Sequence, residues 1–147
     1  METITATEPH KPGSYLTFRV GRQYFAMEAA RVRGILPLSS LTRIHATPEF
    51  VCGITSLGGL DFPVIDLGAK LQLREGSPGR APCIVAIEMK TEKGPRLLGL
   101  LVERTTEVST YRARDFQGHF LRNSGRPRRI LEPAEIFAEK DLLSFWP

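Results

Sequence analysis

The chain has 147 residues, of which 41% are hydrophobic and 24% are charged, and its formal net charge is +4. These values describe a globular chain of single-domain length and exclude a disordered protein. The longest apolar run, residues 97–102, is far below the roughly 18 apolar residues of a transmembrane helix. Because no hydrophobic signal core is visible either, we expect a cytoplasmic protein with no membrane insertion.

The first elements are short strands. Residues 1–14 are polar and contain two prolines, which predicts a flexible N-terminal tail before a single domain that spans residues 15–147. Residues 15–20 alternate apolar and polar side chains, as a half-buried strand does. Gly21 predicts a tight turn into a second strand, and the alanine-rich residues 28–33 predict about one helical turn.

A short helix is predicted near the middle of the first half, after a strand at residues 41–46. Thr47 is a typical N-cap, and Pro48 suits the first helical position. This helix must end before Gly53. We therefore expect Gly53 to adopt the left-handed conformation that often follows a helix.

Two further strands are predicted on either side of Gly58 and Gly59. Pro63 lies within the second of them, which predicts an edge position or a bulge, accessible at a barrel rim. Asp66 follows this strand and is better explained as the N-cap of a short helix than as a catalytic acid.

The second half of the chain continues the same pattern. Its predicted elements are a loop at residues 74–82, strands at 83–89, 96–103, 106–111 and 129–131, a loop at 117–127, and a C-terminal helix that opens at Pro133 and carries Ile136, Phe137 and Leu143. Many short strands with few short helices predict an all-β barrel or sandwich. The strands fall into two successive sets, one ending at residue 65 and one spanning residues 83–110.

Three segments resemble the CheW family of chemotaxis coupling proteins. The most specific is TPEFVCGITSLGG at residues 47–59, followed by PVIDL at residues 63–67. Together they are similar to the family pattern TPxFVxGxxNLRGxxxPVxDL. Weaker similarity begins with FRVG at residues 18–21 and returns with GLLVE at residues 99–103. The resemblance covers about residues 15–143, nearly the whole chain.

The resemblance implies a mainly β fold of two small five-stranded barrels, SH3-like or OB-like, packed side by side with a C-terminal helix. It implies no enzymatic activity and no cofactor. It implies an adaptor that couples the cytoplasmic tip of chemoreceptors to the regulatory domain of a CheA-type histidine kinase in bacterial signal transduction. The partner-binding residues that it implies are Val32, Gly53, Ser56, Gly58, Gly59 and Val102. We expect Ile35 and Ile65 to belong to the core.

The chain departs from the family pattern at four positions. The family usually has Asn at Ser56, Arg at Gly58, Glu at Gly34 and Asp at Glu103. The family arginine is tied to receptor and kinase contacts, so its absence predicts a divergent adaptor, from a pathway other than flagellar chemotaxis.

Other functions leave weaker signals. His10, His45 and His119 lie in the tail, at a strand end and in a loop, outside any nucleophile or metal motif. The two cysteines, Cys52 and Cys83, form no metal-ligand pattern, and Cys52 is expected to be a half-buried filler. We therefore predict no catalytic site and no metal site.

The main alternative comes from the arginine-rich residues 112–129, where Tyr111, Phe116 and Phe120 alternate with arginines. A small β-barrel with such a segment could bind single-stranded nucleic acid, as OB-folds do. The same segment is also compatible with binding to an acidic protein surface, or with a solvated loop. The resemblance favours a protein partner over nucleic acid.

Overall fold

A computed structural model of the chain describes residues 10–45, 49–73, 81–122, 125–138, 140, 142 and 146. The strands are β1 (Gly13–Val20), β2 (Gln23–Glu28), β3 (Val32–Pro37), β4 (Thr42–Arg43), β5 (Val51–Leu57), β6 (Leu60–Asp66), β7 (Cys83–Thr91), β8 (Gly94–Val102), β9 (Arg104–Tyr111), β10 (Phe116–Gln117), β11 (Phe120–Leu121) and β12 (Arg128–Ile130). The helices are α1 (Leu67–Lys70), α2 (Pro133–Ile136) and 3₁₀ turns at Ala29–Arg31, Leu38–Ser40 and Ala113–Asp115. Within these segments, no helix is long and apolar enough to cross a bilayer.

The strands form two six-stranded sheets. The terminal sheet has the order β10-β11-β12-β2-β1-β9, and the middle sheet has the order β3-β7-β8-β6-β5-β4. The predicted division into two successive sets of strands is therefore wrong. The terminal sheet takes strands from both ends of the chain, and the middle sheet is formed by the segment between them.

The predicted all-β class with only short helices is confirmed. Each sheet has six strands rather than five, because two-residue strands such as β4 and β10 join at the edges. In the middle sheet, Gly34 on β3 faces Leu57 on β5, since a Cβ built on Gly34 would lie 3.3 Å from Leu57 Cδ2. The sheet therefore curls enough to bring its outer strand β3 against β5, the strand next to the opposite edge. Closure into two five-stranded barrels stays a prediction.

The main hydrophobic core lies between the two sheets. Apolar residues from the terminal sheet, such as Phe18 and Phe25 with stacked rings 5.9 Å apart, meet apolar residues from β7 and β8. Ile65 is fully buried in this core, which confirms its prediction. A second cluster lies on the other face of the terminal sheet and comprises Tyr15, Ala26, Tyr111, Leu121 and Ile130.

The expectation that Gly53 has a left-handed conformation is wrong. Gly53 is buried within β5 and is not among the glycines of positive φ. A Cβ at this position would clash with the carbonyl oxygen of Thr42 and lie 2.5 Å from Leu41 Cδ1. Glycine is thus required by the close approach of β4. Thr47 and Pro48, the predicted helix start, lie outside the described residues.

The rim position predicted for Pro63 is also wrong. Pro63 is buried in β6, which is an internal strand between β5 and β8. Pairing with β8 begins one residue later, at Val64, so the missing N–H of proline breaks no hydrogen bond of that ladder. The predicted cap at Asp66 is confirmed, because its Oδ1 accepts a hydrogen bond from the Ala69 N–H at 3.2 Å.

Several boundaries differ from the prediction. Strand β1 begins at Gly13, inside the predicted tail, and residues 1–9 lie outside the described segments. The predicted loop at residues 117–127 contains β11 and its turn to β10. Helix α2 ends at Ile136, after which Phe137 is extended and buried. Leu143 and residues 74–80 lie outside the described part of the chain.

Candidate partner-binding surface

The turn between β5 and β6 projects from the middle sheet. Leu57 pairs with Leu60 across a two-residue turn in which Gly58 and Gly59 have φ values of 59° and 83°. Positive φ at both central residues defines the tight hairpin turn that glycine and asparagine favour. A Cβ built on either glycine meets no atom within 4 Å. The turn therefore stands clear of its neighbours and is accessible to a partner.

A cavity of about 590 Å³ lies beside this hairpin. It is lined by Arg33, Leu57, Gly58, Leu60, Asp61, Glu88, Lys93, Pro95, Arg96, Leu97 and Trp146. The lining residues come from β3, β6, β7 and β8 as well as from the C-terminal segment. The hairpin thus shares one depression with strands that are distant in sequence.

An ion pair and hydrogen bonds position side chains on two sides of this cavity. Arg33 Nη2 lies 3.1 Å from Glu88 Oε1, and Arg33 Nη1 donates a hydrogen bond to the Ala30 carbonyl oxygen at 2.6 Å. On another side, Trp146 Nε1 donates to the carbonyl oxygen of Leu97 at 2.7 Å. The cavity lining therefore combines an ion pair, a hydrogen-bonded indole and apolar side chains such as Leu57 and Leu97.

The structure places the six predicted contact residues in different environments. Ser56, Gly58 and Gly59 lie together on the exposed hairpin. Val32 begins β3, next to Arg33 in the cavity wall, and packs partly against the inter-sheet core. Gly53 and Val102 are buried. Their burial gives both residues a structural role, and a direct role in partner contact stays a prediction.

Two exposed apolar residues of the middle sheet were not predicted. Leu60, in the hairpin, is 59% exposed, and Ile35 is 49% exposed. The expectation that Ile35 belongs to the core is wrong, because β3 is an outer strand of the middle sheet and Ile35 lies at its rim. Its partner Val85 is fully buried. The sequence around Ile35 carries no signal for an outer strand, since that position depends on topology.

The cysteines have the environment of structural thiols. The pKa of the Cys52 thiol is raised to about 11, mainly by burial and also by the nearby charge of Asp66, against a smaller lowering by Arg43. Burial also raises the pKa of Cys83. A nucleophilic cysteine needs a lowered pKa, so neither thiol is activated.

The histidines are less isolated than their positions in the sequence indicate. The rings of His10 and His119 meet edge to face with centroids 5.7 Å apart, and His10 Nδ1 lies 3.9 Å from Glu132 Oε2. Arg31 in turn contacts Glu132 at 3.1 Å. Among the described residues, no group of three or more His, Cys, Asp or Glu side chains is arranged to hold a metal ion.

Comparisons with known proteins agree with this architecture. Residues 14–142 match the family described as the CheW-like domain. The chemotaxis protein CheW of Rhizobium meliloti is 30% identical over 102 residues, which are 69% of this chain and 63% of that protein. The chemotaxis protein CheW of Klebsiella aerogenes is 28% identical over 94 residues, which are 64% of this chain and 54% of that protein. In these matches the chain spans less than two thirds of its relatives' length.

A solved structure shares the fold. The scaffolding protein TtCheW from Thermoanaerobacter tengcongensis superposes with a TM-score of 0.74 at 21% identity, over 90% of this chain and 99% of that chain. At this identity the likeness shows the fold alone. The family match, however, extends from β1 to beyond α2. The chain therefore belongs to the CheW-like domain family.

Proposed function

We propose that this chain is a cytoplasmic scaffold that couples chemoreceptors to a CheA-type histidine kinase. Membership of the CheW-like family supports this function, and its relatives are named as chemotaxis proteins. The proposed partners are the receptor's cytoplasmic tip and the kinase's regulatory domain. The scaffold would contribute binding surfaces and no chemistry.

The observation that carries the proposal is the exposed hairpin of β5 and β6 beside its cavity. Leu60 exposes an apolar side chain there, and charged residues such as Asp61 and Lys93 surround the opening. An apolar centre with a polar rim is the usual anatomy of a protein interface. We propose that a partner side chain enters this cavity and contacts Leu60.

Gly58 supports a divergent version of this function. The family usually has arginine here, and in this chain the turn presents no side chain. A partner adapted to this protein would fill the space itself, which is consistent with a pathway other than flagellar chemotaxis. Gly58→Arg should strengthen binding to a conventional partner by roughly 1.5–3 kcal/mol, the scale of a charge-assisted hydrogen bond. Strain of about 1–2 kcal/mol at positive φ opposes this gain.

The proposal is tested by calorimetric titration of Leu60→Asp against the receptor tip and the kinase regulatory domain from the same organism. We expect at least about a tenfold loss of affinity for one partner, because a carboxylate does not enter an apolar contact without a cost. The matched control is Val108→Asp, since Val108 is 61% exposed but lies on β9 of the terminal sheet. Unchanged binding by folded Leu60→Asp would refute this surface.

Val32 is a less direct probe of the same surface. Because Val32 packs partly against the inter-sheet core, Val32→Asp should destabilise the protein as well as weaken binding. A thermal melt of this variant must therefore accompany each titration. Binding of neither partner by the wild type would overturn the coupling function itself.

A further inference from the structure

The positive charge of this chain is concentrated in one segment. Residues 112–129 contain six arginines and one acidic residue, Asp115, so their net charge is +5. The remaining residues carry 14 basic and 15 acidic side chains, a net charge of −1, while the whole chain is +4. The sequence pI near 9.4 thus reflects a local accumulation of charge. A patch of this kind creates a local potential that attracts acidic partners.

The single acidic side chain of this segment, Asp115, is buried. Asp115 is only 7% exposed, and its Oδ2 accepts a hydrogen bond from the Arg112 N–H at 2.8 Å. Asp115 N in turn donates to the Arg112 carbonyl oxygen at 2.9 Å. One buried carboxylate cannot neutralise six guanidinium groups. Most of the charge in the segment is therefore uncompensated by the segment itself.

The small strands of the terminal sheet present these arginines to solvent. Phe120 on β11 pairs with Arg129 on β12, and Phe120 is 44% exposed. Arg122 follows β11, and Arg126 precedes β12 with its guanidinium 5.5 Å from the centre of the Tyr24 ring. Arg122, Arg126 and Arg129 are all exposed. We call Phe120 and these three arginines the arginine platform.

The platform also borders a depression. A cavity of about 480 Å³ is lined by Gln23, His119, Phe120, Arg129, Ile130, Leu131 and Glu132. Glu132, which also lines the cavity, lies 3.1 Å from Arg31, and this contact offsets its charge. Arg129 and Phe120 therefore offer a cation and an apolar ring at the mouth of one cavity.

We propose that the arginine platform binds a carboxylate-rich segment of a partner protein, with an apolar side chain of that segment covering Phe120. Charge complementarity supports this partner, because guanidinium groups pair with carboxylates through two parallel hydrogen bonds. The platform belongs to the terminal sheet, whereas the hairpin of β5 and β6, with the cavity beside it, belongs to the middle sheet. The inference therefore does not depend on the proposed coupling function.

The aromatic residues favour a protein over single-stranded nucleic acid. Binding of single strands relies on exposed rings on which successive bases stack. Tyr111 is buried, and the half-buried Phe116 packs edge to face on Tyr15 with ring centroids 5.7 Å apart. Of the three aromatic residues that alternate with the arginines, only Phe120 is exposed. The platform therefore offers much charge and little stacking surface.

The test is fluorescence anisotropy with a labelled peptide that contains clustered glutamates around one phenylalanine. The variant combines Arg122→Gln, Arg126→Gln and Arg129→Gln. The matched control combines Arg43→Gln, Lys90→Gln and Arg104→Gln. It removes three exposed charges from β4, β7 and β9, of which β9 is the edge of the terminal sheet opposite β10. Circular dichroism checks that both variants fold. We expect the platform variant to lose about tenfold or more in affinity and the control to stay within about twofold.

Three results would overturn the proposal. Equal losses in the two variants would mean that only net charge matters. Equal binding of a peptide with glutamines in place of the glutamates would exclude carboxylate recognition. Tighter binding of a single-stranded oligonucleotide of similar length, lost in the platform variant, would replace the protein partner with nucleic acid. Because no kinase or receptor is present, each result is independent of the coupling function.

Discussion

At Gly53, two neighbouring strands come too close for any side chain. The backbone of β5 passes against Leu41 and Thr42, so that even the methyl group of alanine would overlap both. Ser56, three residues along the same strand, is exposed. The same strand thus contains one position that tolerates no added atoms and one that tolerates most changes.

We therefore expect Gly53→Ala to lower the free energy of unfolding by about 1–3 kcal/mol, the usual range for overpacking a rigid site. Ser56→Ala, the control, should change it by no more than about 0.5 kcal/mol. Urea denaturation of both variants and the wild type measures the difference. Coincident unfolding midpoints for all three proteins would show that β4 moves aside without cost.

The second prediction at this scale concerns the Cys52 thiol. Burial first and Asp66 second raise its pKa from 9.0 to about 11. In a Cys83→Ser background, we expect native protein to react slowly with iodoacetamide at pH 9 and to accelerate as pH approaches 11. Protein unfolded in urea should react as an ordinary thiol. Equal rates in the two states at pH 9 would contradict the burial of this thiol.

The raised pKa of Cys52 also predicts that the free energy of unfolding falls at high pH. Between pH 9.0 and about 11, the folded state retains a proton on Cys52 that the unfolded state has lost. The contribution of this thiol is therefore complete below pH 9.0 and declines as pH rises through that window. Replacing Cys52 with serine should make the decline less steep.

Sequence reasoning succeeded at the residue scale where the cause is local. The cap at Asp66 was predicted because an N-cap bonds to a backbone N–H only three residues away. The role of Gly53 was missed because its cause lies on another strand, and the exposure of Ile35 was missed because an outer strand has no local signature.

At the scale of elements, the hairpin of β5 and β6 permits a stabilising change. Gly58 has φ of 59°, and nothing surrounds its missing side chain. Asparagine tolerates this conformation and restricts the unfolded chain more than glycine does. We expect Gly58→Asn to raise the free energy of unfolding by about 0.4–1 kcal/mol.

Thermal and urea denaturation of Gly58→Asn measure this gain. The control is Gly58→Val, because a β-branched residue is strained at positive φ and should destabilise the protein. If both variants lost stability equally, the turn would not have the hairpin conformation described. Titration of Gly58→Asn with the proposed partners would also show whether they tolerate a side chain at this position.

The two-residue strands explain why some elements were not predicted. Strands β10 and β11 contain only four residues between them, too few for an alternating pattern to appear. Their pairing depends on β12, which is joined in parallel to β2 from the other end of the chain. Longer strands such as β1 and β7 have enough residues for their apolar pattern to be recognised.

For the whole molecule, the shared core predicts that the two sheets unfold together. Leu100 on β8 is buried in the hydrophobic cluster that contains residues of both sheets. Leu100→Ala should lower the free energy of unfolding by about 2–5 kcal/mol. Native-state hydrogen exchange should show the same loss for amides of β1 and of β7. A loss confined to β7 would mean that each sheet folds as a separate unit.

The order of the strands has a consequence for synthesis on the ribosome. The hairpin of β1 and β2 emerges before the middle sheet, but its neighbours β9 and β12 are made only after the whole middle sheet. Until then, the rings of Phe18 and Phe25 have no complete surface to pack against. The nascent chain therefore carries an exposed apolar hairpin while the middle sheet is synthesised, and a chaperone that shields such a segment should increase the yield of folded protein.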